Sequence, residues 1–326
     1  MARRSVVTFG EAMLRLSAPH GSRLELTQSL DVHVGGAESN VAVALARLGV
    51  PATWLGCLPE SPLARRILSE IAVAGVNVSR VKQIEEGRVG LYFVEFGAPP
   101  RPTTVWYDRR DSAINCMEAG DLAVEALNDA AFAVLSGITP ALSPAARALS
   151  HTFVEEARAR GARVCIDVNY RARLWSPATA RETMADFMAM ADVVVCSEQD
   201  ARILFKLEGT DENVLETLRA CTSTDANLVV LTQSERGCLA STFDGLTFRQ
   251  PAVSTSMVDR FGAGDAFTAG LLWGLLESDV ETALRAGASL AALKCTTAGD
   301  HSLATRRELE GLMQADSETA HPSLLR

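Results

Sequence analysis

Lysine is nearly absent from this chain: Lys82, Lys206 and Lys294 are the only three in 326 residues, against 28 arginines. None of them follows a glycine, which excludes the Gly-x-x-x-x-Gly-Lys-[Ser/Thr] phosphate loop, and the lysine and catalytic-loop set of protein kinases is missing too. The seven cysteines, at 57, 116, 165, 196, 221, 238 and 295, form no Cys-x-x-Cys pair and are odd in number. They read as reduced, buried thiols of a cytoplasmic protein, not as a disulfide framework. Five histidines without metal-binding spacing exclude a structural zinc. A net charge of −9 with no basic block argues against nucleic acid or an anionic membrane as partner. No run approaches the roughly 18 apolar residues of a membrane span, and the start, Met-Ala-Arg-Arg-Ser-Val-Val-Thr-Phe-Gly-Glu, lacks the apolar core of a secretory leader. Gly262-x-Gly264 has Phe267 where a dinucleotide fingerprint needs its third glycine, and it lies far from the first strand.

What remains is material for one large core. Hydrophobic residues make up 48% of the chain, and a chain near 300 residues buries about three quarters of its unfolded surface. Val6 to Phe9 is a β-branched run ending at Gly10, a good first buried strand. Further strands are expected at Ala133 to Leu135, Val164 to Val168, Val193 to Cys196 and Leu228 to Leu231, alternating with helical stretches. That spacing predicts βαβ units and a mainly parallel sheet flanked by helices. Leu14 to Val34 is mixed and alternating, and Val89 to Glu95 with Thr103 to Asp108 reads as a long hairpin. Together they predict a small β-sheet lid from about 14–34 and 88–111, outside the main sheet. With no low-complexity linker, residues 1–313 are read as a single α/β domain and 314–326 as a frayed polar tail.

Met257 to Leu276 is the stretch most loaded with chemistry. Gly262 and Gly264 free the backbone to turn several N–H groups toward one point, and Ala266 to Leu276 is apolar or small throughout, a helix buried on all sides. A helix start carries orphan N–H groups and roughly half a positive charge, a place for phosphate. Asp265 stands out. A carboxylate there is ordinarily a cap or first-turn charge; the functional alternative is a base that takes a hydroxyl proton while Gly262, Ala263 and Gly264 stabilise a transferring phosphoryl group.

A second glycine turn, Gly35-Gly36-Ala37-Glu38-Ser39-Asn40, precedes a helix at Val41 to Leu48 that Gly49 stops. The simple reading is a tight turn with Ser39 or Asn40 as helix cap. The sharper one is that a sugar approaches the glycine backbone and Asn40 bonds its hydroxyls. Three strand ends are polar: Asp167 to Arg171, Ser197 to Asp200, and Thr232 to Gly237. Ligands of such sheets bind beyond the C-terminal ends of strands, although polar strand ends are ordinarily just solvated. Arg109 and Arg171 suit a substrate carboxylate, which rewards a forked guanidinium as a neutral sugar does not.

Asp259-x-x-Gly-Ala-Gly-Asp265 before a small-residue helix resembles one signature of the PfkB, or ribokinase-like, sugar kinases, and Gly35-Gly36-x-x-x-Asn40 resembles the other. Asp167-Val-Asn-Tyr-Arg-x-x-Leu-Trp175, Ser136-Gly-Ile-Thr-Pro-Ala-Leu-Ser-Pro144, Tyr107-x-Arg109 and Gly299-Asp300-His301 are similar to the 2-keto-3-deoxygluconate kinases within that family. The resemblance spans about residues 6 to 312. It implies a ribokinase-like fold, ATP and Mg²⁺, and phosphorylation of the terminal hydroxyl of 2-keto-3-deoxygluconate with Asp265 as base. It implies sugar contacts at Gly35, Gly36, Asn40, Tyr92, Tyr107, Arg109, Arg171, Asp265 and Asp300. Implied ATP contacts are Asn169, Ser197, Thr232, Ser234, Arg236, Gly237 and the Gly262–Gly264 hole, and the lid implies a homo-oligomer. Departures from the family pattern are Arg260 after Asp259, Ser234 in place of a glycine, and Ser197-x-x-Asp200 where the family has an Asn-x-x-Glu magnesium motif, leaving Asp200 as the metal candidate. Alternatives are a fructokinase, a ribokinase, a kinase of the C4-epimeric 2-keto-3-deoxygalactonate, or a sugar-binding regulator without catalysis.

Overall fold

The computed structural model describes residues 4–222 and 228–315. Eight strands form the central sheet, in the spatial order Thr247–Gln250, Cys238–Thr242, Leu228–Thr232, Val193–Ser197, Arg163–Asp167, Ala130–Ser136, Ser5–Phe9 and Ala52–Leu55. The six from Leu228–Thr232 to Ala52–Leu55 run parallel; the two at the opposite edge are antiparallel. All five strands expected from the β-branched runs are present. The edge strand Ala52–Leu55 and the antiparallel pair were not anticipated, because short strands between helices carry little period of their own.

The parallel strands are apolar on both faces, as a sheet covered on both sides requires. Successive residues alternate between two cores. Val193, Val195, Leu228 and Val230 pack on one side with the Ala37–Arg47 helix, and Val194, Cys196, Val229 and Leu231 on the other with the Pro144–Ala159 helix. The helix Ala263–Glu277 is buried from Asp265 to Gly274. It lies against Val280–Cys295 so closely that a Cβ on Gly270 would meet the carbonyl oxygen of Ala286, and one on Gly274 the Cα of Ala283.

The lid is a separate four-stranded sheet ordered Asp31–Gly35, Met13–Ser17, Leu91–Glu95 and Thr104–Asp108. Leu14 to Val34 is thus two antiparallel strands joined by a loop, and the expected hairpin pairs Tyr92 with Tyr107. Of the cysteines, Cys116 is exposed and Cys221 half-buried, against the expectation that all are buried; all seven are free thiols. Gln314 and Ala315 belong to the Arg306–Ala315 helix, and the rest of the expected tail lies outside the described residues. No helix among the described residues is long and apolar enough to cross a membrane.

Candidate active site

Both glycine turns are helix starts, and both helices begin earlier than their apolar patterns suggest. The first runs Ala37–Arg47 with Gly36 as an extended N-cap that makes no side-chain cap bond. Ser39 and Asn40 are therefore in the first turn and not at the cap, and the expectation that one of them caps the helix is corrected. Asn40 still serves the turn, since its Oδ1 accepts the Gly36 N–H at 3.3 Å, and its Nδ2 reaches across the molecule to donate to Asp265 Oδ2 at 2.6 Å.

The second helix runs Ala263–Glu277. Gly262 caps it at φ +79°, left-handed, and packs so tightly on the carbonyl oxygen of Asp300 that no Cβ fits. Ala263 N–H is bonded to Arg260 O at 3.2 Å, whereas the N–H groups of Gly264 and Asp265 fall where helical geometry supplies no partner. A Cβ on Gly264 would meet open space. Gly264 and Asp265 are thus the N–H groups of this turn without a helical partner, with Ala263 occupied in closing it.

Asp265 itself is 9% exposed. Burial raises its carboxyl to about 6, against the Asn40 bond and the charge of Arg171, which favour the ionised form. Asp167, at the end of its strand, is pushed further, to about 8, by burial first and then by the Asp265 charge. Its Oδ2 accepts from Thr268 Oγ1 at 3.4 Å. Asp200 is also raised by burial. Arg171 is exposed, spends Nη1 on the carbonyl of Tyr170 at 3.2 Å, and lowers all three carboxyls.

On the lid side, Tyr92 donates to Asp300 Oδ2 at 2.5 Å and stacks on Tyr107 with ring centroids 5.7 Å apart. A Cβ on Gly35 would strike the Tyr92 hydroxyl and the Asp300 carboxylate, and one on Gly36 the carbonyl of Glu11. The two glycines are needed for lid and body to meet, a packing reason that stands beside the sugar approach suggested by the sequence. Arg109 differs from expectation too. Its Nε donates to Glu11 Oε2 at 2.9 Å, its Nη2 to the same oxygen, and Ser112 donates to the other Glu11 oxygen. Two of its three nitrogens are therefore engaged, and Nη1 is left for a ligand.

The strand-end residues form a second group. Ser197 caps the Glu198–Phe205 helix by accepting Asp200 N–H at 3.0 Å, and Asp200 Oδ2 accepts Tyr170 N–H at 3.2 Å. Thr232 pairs with Ser197 across the sheet. Asn169 and Ser234 both hold left-handed backbone, at φ +38° and +52°. Ser234 thereby holds a conformation that a glycine at this position would adopt freely. Gly237, at φ +92°, leaves no room for a Cβ beside the backbone of Gln250 to Ala252. Arg236 is turned away to Glu198 and Asp211.

Among the described residues no group of three or more His, Cys, Asp or Glu side chains could hold a metal alone. A Mg²⁺ carried mainly by phosphates and water needs no such group; the Asp167 carboxyl is raised by burial and then by the Asp265 charge, whereas that of Asp200 is raised by burial against the Arg171 charge.

Sequence reasoning missed four buried charges. Arg15, 1% exposed, donates to Asp259 Oδ2 at 2.5 Å and Asp300 Oδ1 at 2.8 Å and lies over the rings of Phe261 and Phe96. Glu38 accepts from Ser136 N and Oγ and from Thr139 Oγ1 at 2.7–3.0 Å. Glu11 and Lys294 complete the set. Arg15 and Lys294 are single charges in apolar runs, Met-Leu-Arg-Leu and Ala-Ala-Leu-Lys-Cys, and that isolation was the available signal.

Comparison with known proteins agrees with this geometry. The family profile described as pfkB family carbohydrate kinase matches residues 3–306. The chain is 42% identical over 310 residues to a 2-dehydro-3-deoxygalactonokinase of Haloferax volcanii, covering 95% of this chain and 96% of that protein. It is 28% identical over 319 residues to a 2-dehydro-3-deoxygluconokinase of Bacillus subtilis, covering 97% of each. The crystal structure of a 2-dehydro-3-deoxygluconokinase from Thermotoga maritima superposes with a TM-score of 0.88 at 33% identity, over 95% of this chain and 99% of that one. A profile match over nearly the whole chain, joined by relatives of matching length, places this protein in the pfkB family of carbohydrate kinases.

Proposed function

We propose that the protein transfers the γ-phosphoryl group of ATP to the terminal hydroxyl of a 2-keto-3-deoxy sugar acid. The observation that carries this reading is Asp265, a buried carboxylate in the first turn of the buried helix, oriented by Asn40 at 2.6 Å beside orphan N–H groups. One Asp265 oxygen is held, and the other accepts the proton of the attacking hydroxyl. The Gly264 and Asp265 N–H groups and the helix dipole stabilise charge on the phosphoryl oxygens. Asp167 and Asp200 would hold a Mg²⁺ carried by the phosphates, and the ion would supply further charge neutralisation. Phosphoryl transfer needs chiefly positioning and charge stabilisation, so a base contributes about 10²–10⁴-fold of the rate.

The acid is favoured over a neutral sugar by Arg171, exposed beside these carboxylates, and by Nη1 of Arg109. Between the C4 epimers, the 42% identity to a protein named for the galactonate, against 28% and 33% for those named for the gluconate, favours 2-keto-3-deoxygalactonate. This reverses the order expected from sequence motifs, and 2-keto-3-deoxygluconate becomes the second candidate. ADP release with ATP and Mg²⁺ tests the reading on both acids, fructose and ribose. Turnover of the acids with the galactonate epimer ahead is expected; turnover of fructose or ribose alone would overturn the substrate class and leave the base in place.

A further inference from the structure

The Lys294 side chain is 1% exposed, yet among the described residues no carboxylate pairs with it directly. Its ammonium donates instead to two backbone carbonyls, Asp259 O at 3.0 Å and Thr297 O at 3.2 Å. Burying an ammonium costs several kcal/mol unless hydrogen bonds and nearby negative charge offset it. Here burial lowers its proton affinity, while the fields of Asp259 and Asp300 raise it.

The two carbonyls belong to segments that must meet for the phosphoryl site to exist. Asp259 opens the anion-binding turn, and its carboxylate accepts Phe261 N–H on its own segment and Gly299 N–H on the other, both at 3.0 Å. Three residues on, Gly262 rests on the carbonyl of Asp300. Arg15 bonds Asp259 and Asp300 from the lid. The turn is thus fastened to the 297–300 segment through the side chain of Asp259, through Gly262, and through the Lys294 ammonium acting on main-chain carbonyls.

We propose that Lys294 is a positioning residue, a fixed internal cation that clips the Asp259 and Thr297 carbonyls together and so sets where the Gly264 and Asp265 N–H groups point. It touches neither substrate. Its effect falls on the transition state, whose phosphoryl charge those N–H groups meet, and displacing such groups by a fraction of an ångström costs up to about 10²-fold in rate. Sugar binding, which rests on the lid and Asn40, is left nearly unchanged. The inference rests on the assignment of the Gly262–Asp265 turn as the phosphoryl site.

The test compares wild type, Lys294→Met and Lys294→Ala, with Asp265→Asn as control. Both Lys294 variants are expected to lose about 10–100-fold in kcat with sugar KM within about threefold. Lys294→Ala leaves room for a small cation, so methylammonium chloride should restore part of its kcat, and tetramethylammonium chloride at equal ionic strength should not. Unchanged kcat in folded Lys294→Met would overturn the proposal, as would rescue by both salts alike. If both variants fail to fold, recovery of folded, active Lys294→Ala by methylammonium alone supports it, and no recovery assigns Lys294 to folding only. Asp265→Asn separates the two readings: if it retains full turnover, the phosphoryl-site assignment fails first.

Discussion

The lid-facing half of the site and the strand-end half assigned to the nucleotide are built on different principles. Around Asp265 and Asp300, charges are buried and bonded across long stretches of chain: Asn40 to Asp265, Tyr92 and Arg15 to Asp300, Arg109 to Glu11. At the strand ends, position is set by local backbone, with Asn169 and Ser234 left-handed and Ser197 capping its own helix, and the ion pairs of Arg236 are open to water. The first half depends on tertiary partners whose loss leaves a desolvated charge. The second depends on φ and ψ and on bonds between neighbouring strand ends. Of the family departures, Ser197 and Ser234 fall in the second half, whereas Arg260 follows Asp259 in the first.

Asp265→Asn is the sharpest way to break the first half. It should lower kcat by about 10²–10⁴-fold and leave sugar affinity within a few fold; unchanged turnover would remove Asp265 from catalysis. Because burial raises Asp265 to about 6, wild-type kcat/KM should climb through that pH and level off above it. Stability runs the other way. A carboxyl near 3.8 when unfolded and about 6 when folded favours the folded state fully below pH 3.8, and that contribution is lost as pH rises through 6. Asp265→Asn should therefore be more stable than wild type at pH 8, by about 2–3 kcal/mol, with the difference vanishing below pH 4. Urea denaturation at the two pH values checks the sign.

Arg15→Met comes next. It keeps apolar contact with Phe96 and Phe261 but strands Asp259 and Asp300, and breaking such a buried pair from one side costs about 3–5 kcal/mol. A loss under about 1 kcal/mol would mean that the lid is not fastened through this guanidinium.

The second half should respond weakly. Ser234→Gly relieves a left-handed residue, worth about 1–2 kcal/mol, against a glycine entropy cost of about 0.5–1 kcal/mol. The net expectation is a gain of up to about 1 kcal/mol, read from the denaturation midpoint; a clear loss would show that the Ser234 side chain holds the loop. Arg236→Ala should change ATP KM by less than about threefold, because Glu198 and Asp211 already hold the guanidinium. A larger rise would show that Arg236 leaves those acids for the nucleotide.

The strands at Val6 to Phe9, 133–135, 164–168, 193–196 and 228–231 were legible because both faces of a parallel sheet are buried, which writes continuous apolar runs into the chain. Asp265 was legible as a candidate because Gly-Ala-Gly-Asp before an apolar helix matches a family signature, where the carboxylate alone would read as an ordinary first-turn charge. The helix starts were misjudged by a few residues, since Glu38, Ser39, Asn40 and Asp265 are polar for reasons that lie elsewhere in the fold.

By itself, then, the sequence determined the sheet, the buried helix and the two glycine turns, which follow from local period and backbone freedom, and it made Asp265 the candidate base through its place in a family signature. Only the tertiary structure decided that Arg109 faces Glu11, that Gly35 is small for Tyr92 and Asp300, and that Arg15 and Lys294 are interior cations bonded to Asp259. The physical reason is range: a buried charge is tolerable only beside its partner, and these partners lie up to 285 residues away along the chain.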